Sequence, residues 1–210
     1  MLYDKDIREP LFGFLEETYG KTRIIEEKMM GRSRADAIMV TGHELWGIEI
    51  KSDADTYARL SRQIKDYCRY FDRNIIVAGT SHAQHVSEHV PADWGIITAE
   101  ETENGPDFYI YRQPAPNPML ERLMKIRILW RPELDHILEL NALPAYRQKS
   151  KDFVRQALVE RVEPDLLDRQ ISDELFERDY QAIAETINAY RAAHGQRRRR
   201  NTARRKRKSI

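Results

Sequence analysis

Two short β-type runs separated by a tight turn constrain the fold of this chain most strongly. Residues 35–40 and 45–50 are rich in β-branched and small apolar side chains, and the segment between them is Thr41-Gly42-His43-Glu44. Glycine at the first of two loop positions suits a type II′ turn, so we predict an antiparallel hairpin closed by Thr41 and Glu44. Residues of the two strands then pair wherever their numbers add up to 85.

This register places two acids, Asp36 and Glu49, opposite each other, with their Cβ atoms about 4.5–5.5 Å apart. Their neighbours are mostly apolar on both faces, so we expect a central strand pair that is covered on both sides. Two like charges in such surroundings repel each other and lose solvation. One acid can take up a proton, or a hard divalent cation can bind between them; carboxylate oxygens at a sheet edge suit Mg²⁺ or Mn²⁺.

Lys51 lies two residues beyond Glu49, so its side chain leaves the same face of the strand. An ammonium group beside a metal site can orient or help deprotonate a water, or neutralise charge on a phosphate oxygen, as phosphodiester hydrolysis requires. Alone, Glu-x-Lys on a strand is usually an ion pair on a solvated face. With Asp36 in register between apolar strands, the functional interpretation becomes the stronger one.

The pattern along the chain predicts an α/β domain followed by helices. In the first part we expect helices over 5–19, 53–71 (with Asp53 as N-cap) and 82–89, and strands at 22–30, 35–40, 45–50, 74–79, 94–98 and 108–112. Three prolines in residues 113–118 indicate a boundary. After it we expect helices over 119–130, 132–141, 150–162 and 171–193. We therefore divide the chain into a domain of residues 1–113, a helical region of residues 119–195 and a basic disordered tail of residues 196–210.

The tail carries a strong charge. Residues 197–208 contain nine basic and no acidic side chains, although the net charge of the whole chain is only +1. The other residues hold 26 basic and 34 acidic side chains, a net charge of about −8. We expect salt-sensitive attraction of the tail to polyanions, nucleic acid first among them, through the backbone and not the sequence. The basic residues concerned are Arg197, Arg198, Arg199, Arg200, Arg204, Arg205, Lys206, Arg207 and Lys208. Ribosomal RNA, anionic lipid and mere solubility remain alternatives.

Composition excludes several other classes of protein. No apolar run approaches the roughly 20 residues that span a bilayer, and the N-terminus lacks the layout of a signal peptide. Cys68 is the single cysteine, so neither an internal disulfide nor a cysteine-rich zinc site can form. We expect a cytoplasmic protein without a membrane partner.

These residues resemble the PD-(D/E)XK nuclease superfamily. Its core is α-β-β-β-α-β around a mixed central sheet, with an acid on the second strand and Glu-x-Lys on the third, as at Asp36 and Glu49-Ile50-Lys51. The helix that follows often carries Gln-x-x-x-Tyr, and this chain has Gln63-Ile-Lys-Asp-Tyr67 there, with both residues on one helical face. Ala35 stands where the superfamily has its name-giving proline, which many members also lack.

A narrower resemblance is to the sce7726 family of uncharacterised bacterial and phage proteins. It rests on the run GIEIKSDADTYARLSRQIKDYCRYFD after RADAIMVTG, on Asp6-Ile7-Arg8 and on Leu129-Trp130-Arg131. That family has no clear reaction, so this match adds little about function.

The superfamily resemblance implies a role for each site residue. Asp36, Glu49 and the Ile50 carbonyl would bind Mg²⁺ or Mn²⁺, Lys51 would position or activate water, and Gln63 and Tyr67 would support the site. Some members add an acid from the first helix or strand; Glu16, Glu17 and Glu27 are candidates, and Glu27 is preferred. For each glutamate an ordinary surface residue is the commoner interpretation. Arg59, one turn before Gln63, is a candidate phosphate ligand and can equally be a solvated helix residue.

Three functional hypotheses follow. The first is a metal-dependent endonuclease or exonuclease that hydrolyses DNA. The second is a nucleic-acid-binding protein of nuclease fold without turnover, of phage or mobile-element type. The third is a structural protein whose acid pair shares a proton in the core. The choice between DNA and RNA stays open, and a homodimer is suggested only by analogy with nucleases of this type.

Overall fold

We describe the chain from a computed structural model, which covers residues 1–179 together with residues 185 and 189. The basic tail and the end of the predicted helix 171–193 lie outside the described residues. Residues Met1–Glu177 form one compact unit.

The unit combines eight α-helices with six strands among the described residues. Its first part contains α1 (Asp4–Tyr19), β1 (Arg23–Met30), β2 (Ser33–Val40), β3 (Leu45–Lys51), α2 (Leu60–Tyr70, after a 3-10 turn at Tyr57–Arg59), β4 (Arg73–Gly79), α3 (Thr80–Ala83), α4 (Val86–His89), β5 (Gly95–Thr102) and β6 (Gly105–Arg112). Its second part contains α5 (Arg122–Lys125), a 3-10 turn (Ile126–Ile128), α6 (Arg131–Leu140), α7 (Lys151–Arg161) and α8 (Pro164–Phe176). The predicted α/β class is confirmed.

The six strands form one mixed sheet in chain order, from β1 to β6. The pairs β3–β4 and β4–β5 are parallel, and the other three are antiparallel. In the β2–β3 hairpin, Ala37 pairs with Ile48 and Val40 with Leu45, so the predicted register is confirmed. The Thr41 N–H donates to the Glu44 carbonyl at 3.0 Å and closes the loop. The predicted type II′ turn is wrong, because Gly42 lacks the positive φ of that turn and the Glu44 N–H donates to the Thr41 hydroxyl at 3.1 Å.

Helices cover both faces of the sheet. On one face, Ile7, Leu11 and Leu15 of α1 are buried against apolar side chains of β2, β3 and β4. On the other face, side chains of α2 pack in one continuous core with residues of α6, α7 and α8. Apolar residues of β3 and β4 therefore lack solvent contact on either side, as expected for central strands.

The proline-rich segment 113–118 marks a change from strands to helices and does not separate two units. Lys125, fully buried, bonds the carboxylates of Asp72 at 2.8 Å and Asp168 at 3.0 Å. The Asn117 N–H also donates to the Asp72 carbonyl at 2.8 Å. Residues 1–113 and the helices up to α8 thus share one core, which corrects the division drawn from the prolines.

Four predicted helices differ from the structure. The segment 82–89 holds parts of two short helices, α3 and α4, and in place of the helix expected from residue 171 onward α8 begins at Pro164 and ends at Phe176. The helix expected over 53–71 begins only at Tyr57, because the Asp53 carboxylate is used elsewhere: it accepts the N–H groups of Leu2 at 2.8 Å and Ser81 at 2.9 Å. The helix expected over 119–130 is limited to α5 and the 3-10 turn that follows it. In the described part of the chain, none of the helices has both the length and the apolar character needed to cross a membrane.

Candidate active site

The β2–β3 ladder ends where the acid pair was predicted. Its last paired residues are Ala37 and Ile48, whereas β3 continues beside β4 as far as Lys51. The direct pairing of Asp36 with Glu49 is absent from the ladder, because the Asp36 side chain takes its place: Oδ2 accepts the Ile50 N–H at 2.9 Å. The Asp36 carboxylate thus accepts a hydrogen bond that a backbone carbonyl of β2 would accept in a regular ladder, and β2 separates from β3 at this residue.

The backbone of Asp36 also bonds outside the sheet. Its N–H donates to the Tyr67 hydroxyl at 3.4 Å, and its carbonyl accepts from Arg8 Nη1 at 3.2 Å. On the neighbouring strand, Glu27 has a φ of 52°, between the paired residues Glu26 and Lys28. Left-handed backbone is uncommon for residues other than glycine, and strain of this kind gathers at functional sites.

Glu49 is the centre of the site. Its side chain is only 1% exposed and accepts from three groups. Lys51 Nζ lies 2.5 Å from Oε1, the Gln63 amide also donates to Oε1, and the Tyr67 hydroxyl lies 2.8 Å from Oε2. Lys51 Nζ is also 3.4 Å from Gln63 Oε1. The structure thus brings together Glu49, Lys51, Gln63 and Tyr67, which sequence analysis had singled out.

Tyr67 makes hydrogen bonds to both acidic residues. Its hydroxyl receives the Asp36 N–H and lies between Glu49 Oε2 and the Ile48 carbonyl, which is 2.9 Å away. Burial, together with the charges of Glu49 and Asp36, raises the pKa of Tyr67 well above its ordinary value. The phenol therefore remains a neutral hydrogen-bond donor at physiological pH.

Gly47 lets α2 approach the site, a role that sequence analysis missed. A Cβ at this position would lie 2.3 Å from Phe71 Cδ2 and 2.6 Å from Tyr67 Cδ1. A side chain on β3 would therefore displace the helix that carries Tyr67. An isolated glycine inside a strand pattern is the sequence sign of such a close approach.

The pKa of Asp36 rises from 3.8 to about 7. Burial is the largest cause, and the nearby charge of Glu49 adds to it. The Ile50 N–H and the Arg8 guanidinium act in the opposite direction and lower the pKa. The buried acid pair therefore makes ionisation of Asp36 unfavourable, as like charges in a desolvated site do.

Arg8 is a site residue that sequence analysis noted only within the resemblance. Its side chain is 15% exposed. Nη2 lies 3.4 Å from Asp36 Oδ1, Nε lies 2.6 Å from Asp4 Oδ2, and Nη1 lies 3.5 Å from Glu26 Oε2. The spacing of Asp4 and Arg8 by one helical turn indicates their ion pair, but the chain order gives no sign of the contact with Asp36.

The additional candidates lie apart from this cluster. Glu27 is half exposed and pairs with Arg34 at 3.1 Å. Glu16 and Glu17 are exposed on α1, and Arg59 is exposed at the 3-10 turn before α2. None of these four residues contacts Asp36 or Glu49 among the hydrogen bonds and ion pairs of the described residues. The nine basic tail residues proposed for nucleic-acid binding lie outside the described part.

The donor set fits a hard divalent cation. Asp36 and Glu49 supply carboxylate oxygens, and the Ile50 carbonyl points to the same side of β3 as its N–H, which faces Asp36. Within the described ranges no group of three His, Cys, Asp or Glu side chains could hold a metal, so the remaining ligands would be carbonyl, water or substrate oxygens. A cation would also relieve the unfavourable ionisation of Asp36.

Comparison with known proteins adds a family. A family model described as bacteriophage P4 protein cII matches residues 2–203. The chain belongs to this family. Protein cII of Enterobacteria phage P4 is 29% identical to this cII-family chain over 105 residues, which are 50% of this chain. The match covers 39% of the phage protein, so the chain spans well under half the length of this curated relative.

A solved structure, SfsA of Pyrococcus furiosus in complex with Ca²⁺, aligns with a TM-score of 0.34 and 15% identity. The alignment covers 56% of this chain and 65% of that one. At that TM-score it carries no weight for the fold. The comparisons name the P4 cII family and not the sce7726 family of the narrower resemblance, and the association with phage proteins is common to both.

Proposed function

We propose that this cII-family protein is a metal-dependent nuclease of the PD-(D/E)XK type that hydrolyses phosphodiester bonds of DNA. The observation that carries the proposal is the set of contacts that Glu49 makes. This buried carboxylate accepts hydrogen bonds from Lys51, Gln63 and Tyr67, and its charge acts on the neighbouring Asp36. The order α1-β1-β2-β3-α2-β4 supports it, because it is the element order of that superfamily's core.

Each residue has a distinct part in this proposal. Asp36, Glu49 and the Ile50 carbonyl would hold Mg²⁺ or Mn²⁺, which when bound polarises a phosphate oxygen and favours ionisation of a water. Lys51, which bonds the carboxylate of Glu49, would donate a hydrogen bond to a water or a phosphate oxygen. Gln63 and Tyr67 fix the orientation of the Glu49 carboxylate.

Arg8 has a supporting part at the other acid. It bonds both the carbonyl and the carboxylate of Asp36, and Asp4 in turn holds Arg8. Groups that orient a metal ligand from outside contribute to affinity even without touching the metal. We therefore treat Arg8 as a positioning residue.

The test is calorimetric titration with Mn²⁺, followed by cleavage of supercoiled plasmid and linear DNA. We expect micromolar to millimolar binding that Asp36→Asn and Glu49→Gln abolish. Glu103→Gln, an exposed acid in the β5–β6 turn, is the matched control and keeps wild-type binding. Circular dichroism of each variant establishes that it is folded. Binding that survives both site substitutions in folded protein would sink the assignment.

A second function, binding of nucleic acid without turnover, is favoured by one observation. Both oxygens of Glu49 already accept from protein donors, so a cation has to share or displace these bonds. Under this alternative the protein binds DNA with equal affinity in wild type and Asp36→Asn, and neither form cleaves DNA in Mg²⁺ or Mn²⁺. Cleavage by the wild type that Asp36→Asn loses decides for the nuclease.

A further inference from the structure

Helix α2, which carries Gln63 and Tyr67 into the site, has a basic side that faces solvent. Arg62 and Lys65 are exposed on the helix, and Arg59 is exposed in the turn that leads into it. Residues three apart are neighbours along one side of a helix, and three residues rise by about 4.5 Å. The three cations therefore form a row about 9 Å long.

The row runs beside the candidate site. Arg59 lies one helical turn before Gln63, and Arg62 directly precedes it in the chain. Gln63 in turn donates to the Glu49 carboxylate. Of the three cations, Arg59 shares the side of Gln63, so a chain of phosphates lying along the row would approach the carboxylate cluster at its Arg59 end.

The charges of the row are not neutralised within the described part of the chain. No ion pair there involves Arg59, Arg62 or Lys65, whereas Arg69, further along the same side of α2, is held by Glu121 at 2.6 Å and 3.0 Å. Arg73, at the start of β4, is likewise paired with a carboxylate, that of Glu44 at 2.8 Å. The cations of the row therefore remain available to an external anion.

One acid, Asp66, occurs in α2, and it is turned to another neighbour. Its carboxylate lies against the β1–β2 turn, where a Cβ on Gly31 would be 2.7 Å from Asp66 Oδ1. Asp66 is half-buried in this position, while Arg62 and Lys65 extend into solvent. The acid therefore faces the β1–β2 turn and leaves the solvent side of α2 basic.

Outside residues 197–208 the chain carries a net charge of about −8, so a polyanion is repelled by most of its surface. We propose that Arg59, Arg62 and Lys65 form a phosphate-binding row that holds the backbone of duplex DNA beside Asp36 and Glu49. This inference rests on the proposed function, since it names the surface that presents the substrate. Guanidinium and ammonium groups contact phosphates without reading sequence, so the row contributes affinity and register, not sequence preference.

The experiment measures anisotropy of a fluorescent duplex of about 30 base pairs at several salt concentrations, with the full chain in EDTA so that no cleavage occurs. Each phosphate contact contributes about 0.9 to the slope of log affinity against log salt concentration. For Arg62→Ala/Lys65→Ala we expect weaker binding and a slope smaller in magnitude by about 2. The control Arg147→Ala/Arg169→Ala removes two exposed arginines of the α6–α7 loop and α8 and leaves affinity and slope unchanged.

Mn²⁺ calorimetry on the same variants separates this inference from the proposed function. The row variant keeps wild-type Mn²⁺ binding, because none of its substituted residues contacts Asp36 or Glu49 among the described contacts. An effect of the row on DNA binding in a protein that neither binds Mn²⁺ nor cleaves would uphold the row and refute the nuclease. Wild-type affinity and slope in the row variant, an equal loss in the control variant, or no duplex binding by the wild type would each overturn the row.

Discussion

The guanidinium of Arg8 holds Asp36 at two atoms, with Nη1 3.2 Å from its carbonyl oxygen and Nη2 3.4 Å from Oδ1. This contact joins α1 to β2 at the residue where β2 leaves β3. The first helix therefore does more than cover a face of the sheet. It fixes one of the two acids of the candidate site.

Removing Arg8 is expected to raise the pKa of Asp36 above its wild-type value of about 7, because the guanidinium lowers that pKa. Arg8→Ala also leaves Asp4, Glu26 and Asp36 without their shared cation, so we expect a loss of about 1.5–3 kcal/mol in the free energy of unfolding. Carbon-detected NMR titration of the Asp36 carboxyl and urea unfolding measure the two effects. Arg8→Lys keeps the charge and should retain much of the wild-type pKa; an unchanged pKa in Arg8→Ala would contradict the assignment.

The metal-free protein should lose stability as pH rises. The folded pKa of Asp36, about 7, lies above its unfolded value of 3.8. Protonated Asp36 therefore favours the folded state fully below about pH 4, and this contribution is lost as pH rises through about 7. In EDTA, we expect the difference in unfolding free energy between wild type and Asp36→Asn to decrease as pH rises from about 4 to about 7. A difference that stays constant with pH would refute the shifted pKa.

Adding Mn²⁺ at pH 8 to the same pair of proteins tests the interpretation of the acids as a structural, proton-sharing pair. A cation that binds the folded site stabilises wild type in proportion to the logarithm of its concentration and leaves Asp36→Asn unaffected. Equal stability of wild type with and without Mn²⁺ would favour the structural pair.

Replacing Gly47 by alanine should displace α2. The added methyl group meets the rings of Phe71 and Tyr67, and overpacking of this kind costs about 1–3 kcal/mol. Thermal or urea unfolding measures this cost. We also expect the contacts of Gln63 and Tyr67 with Glu49 to change, because α2 carries both residues. Gly42→Ala is the matched control, since a Cβ there has no heavy atom within 4 Å. Equal stability of the two variants would show that α2 tolerates a side chain on β3.

Lys125→Met should destabilise the whole unit. The ammonium is fully buried between Asp72 and Asp168, and its loss leaves the partly buried Asp72 carboxylate without a cation, whereas Asp168 keeps its ion pair with Arg122 at 2.9 Å. Breaking such a pair costs about 3–5 kcal/mol. Urea unfolding followed by tryptophan fluorescence and by far-UV circular dichroism should give coincident transitions, shifted together. Separate transitions for the sheet and the C-terminal helices would restore the division at residues 113–119.

Local sequence rules predicted the parts of the site that depend on local structure. The position of the two-residue loop was enough for the β2–β3 register although its turn type was wrong, and helical spacing was enough to place Gln63 and Tyr67 on one side of α2. The contact of Arg8 with Asp36 and the parting of β2 from β3 depend on packing between distant segments, which periodicity does not encode. Asp53 failed as an N-cap for the same reason, because Leu2 and Ser81 use its carboxylate.

The separation of β2 from β3 leaves the amide hydrogen of Ile50 bonded to the Asp36 carboxylate, with no partner strand on that side. Exchange of this hydrogen with solvent therefore depends on the ionisation and occupancy of Asp36, while amides that are bonded between strands exchange through opening of the sheet. The NMR resonance of the Ile50 amide should therefore respond to proton or cation binding at Asp36, so that binding at the two acids can be followed without a label in the site.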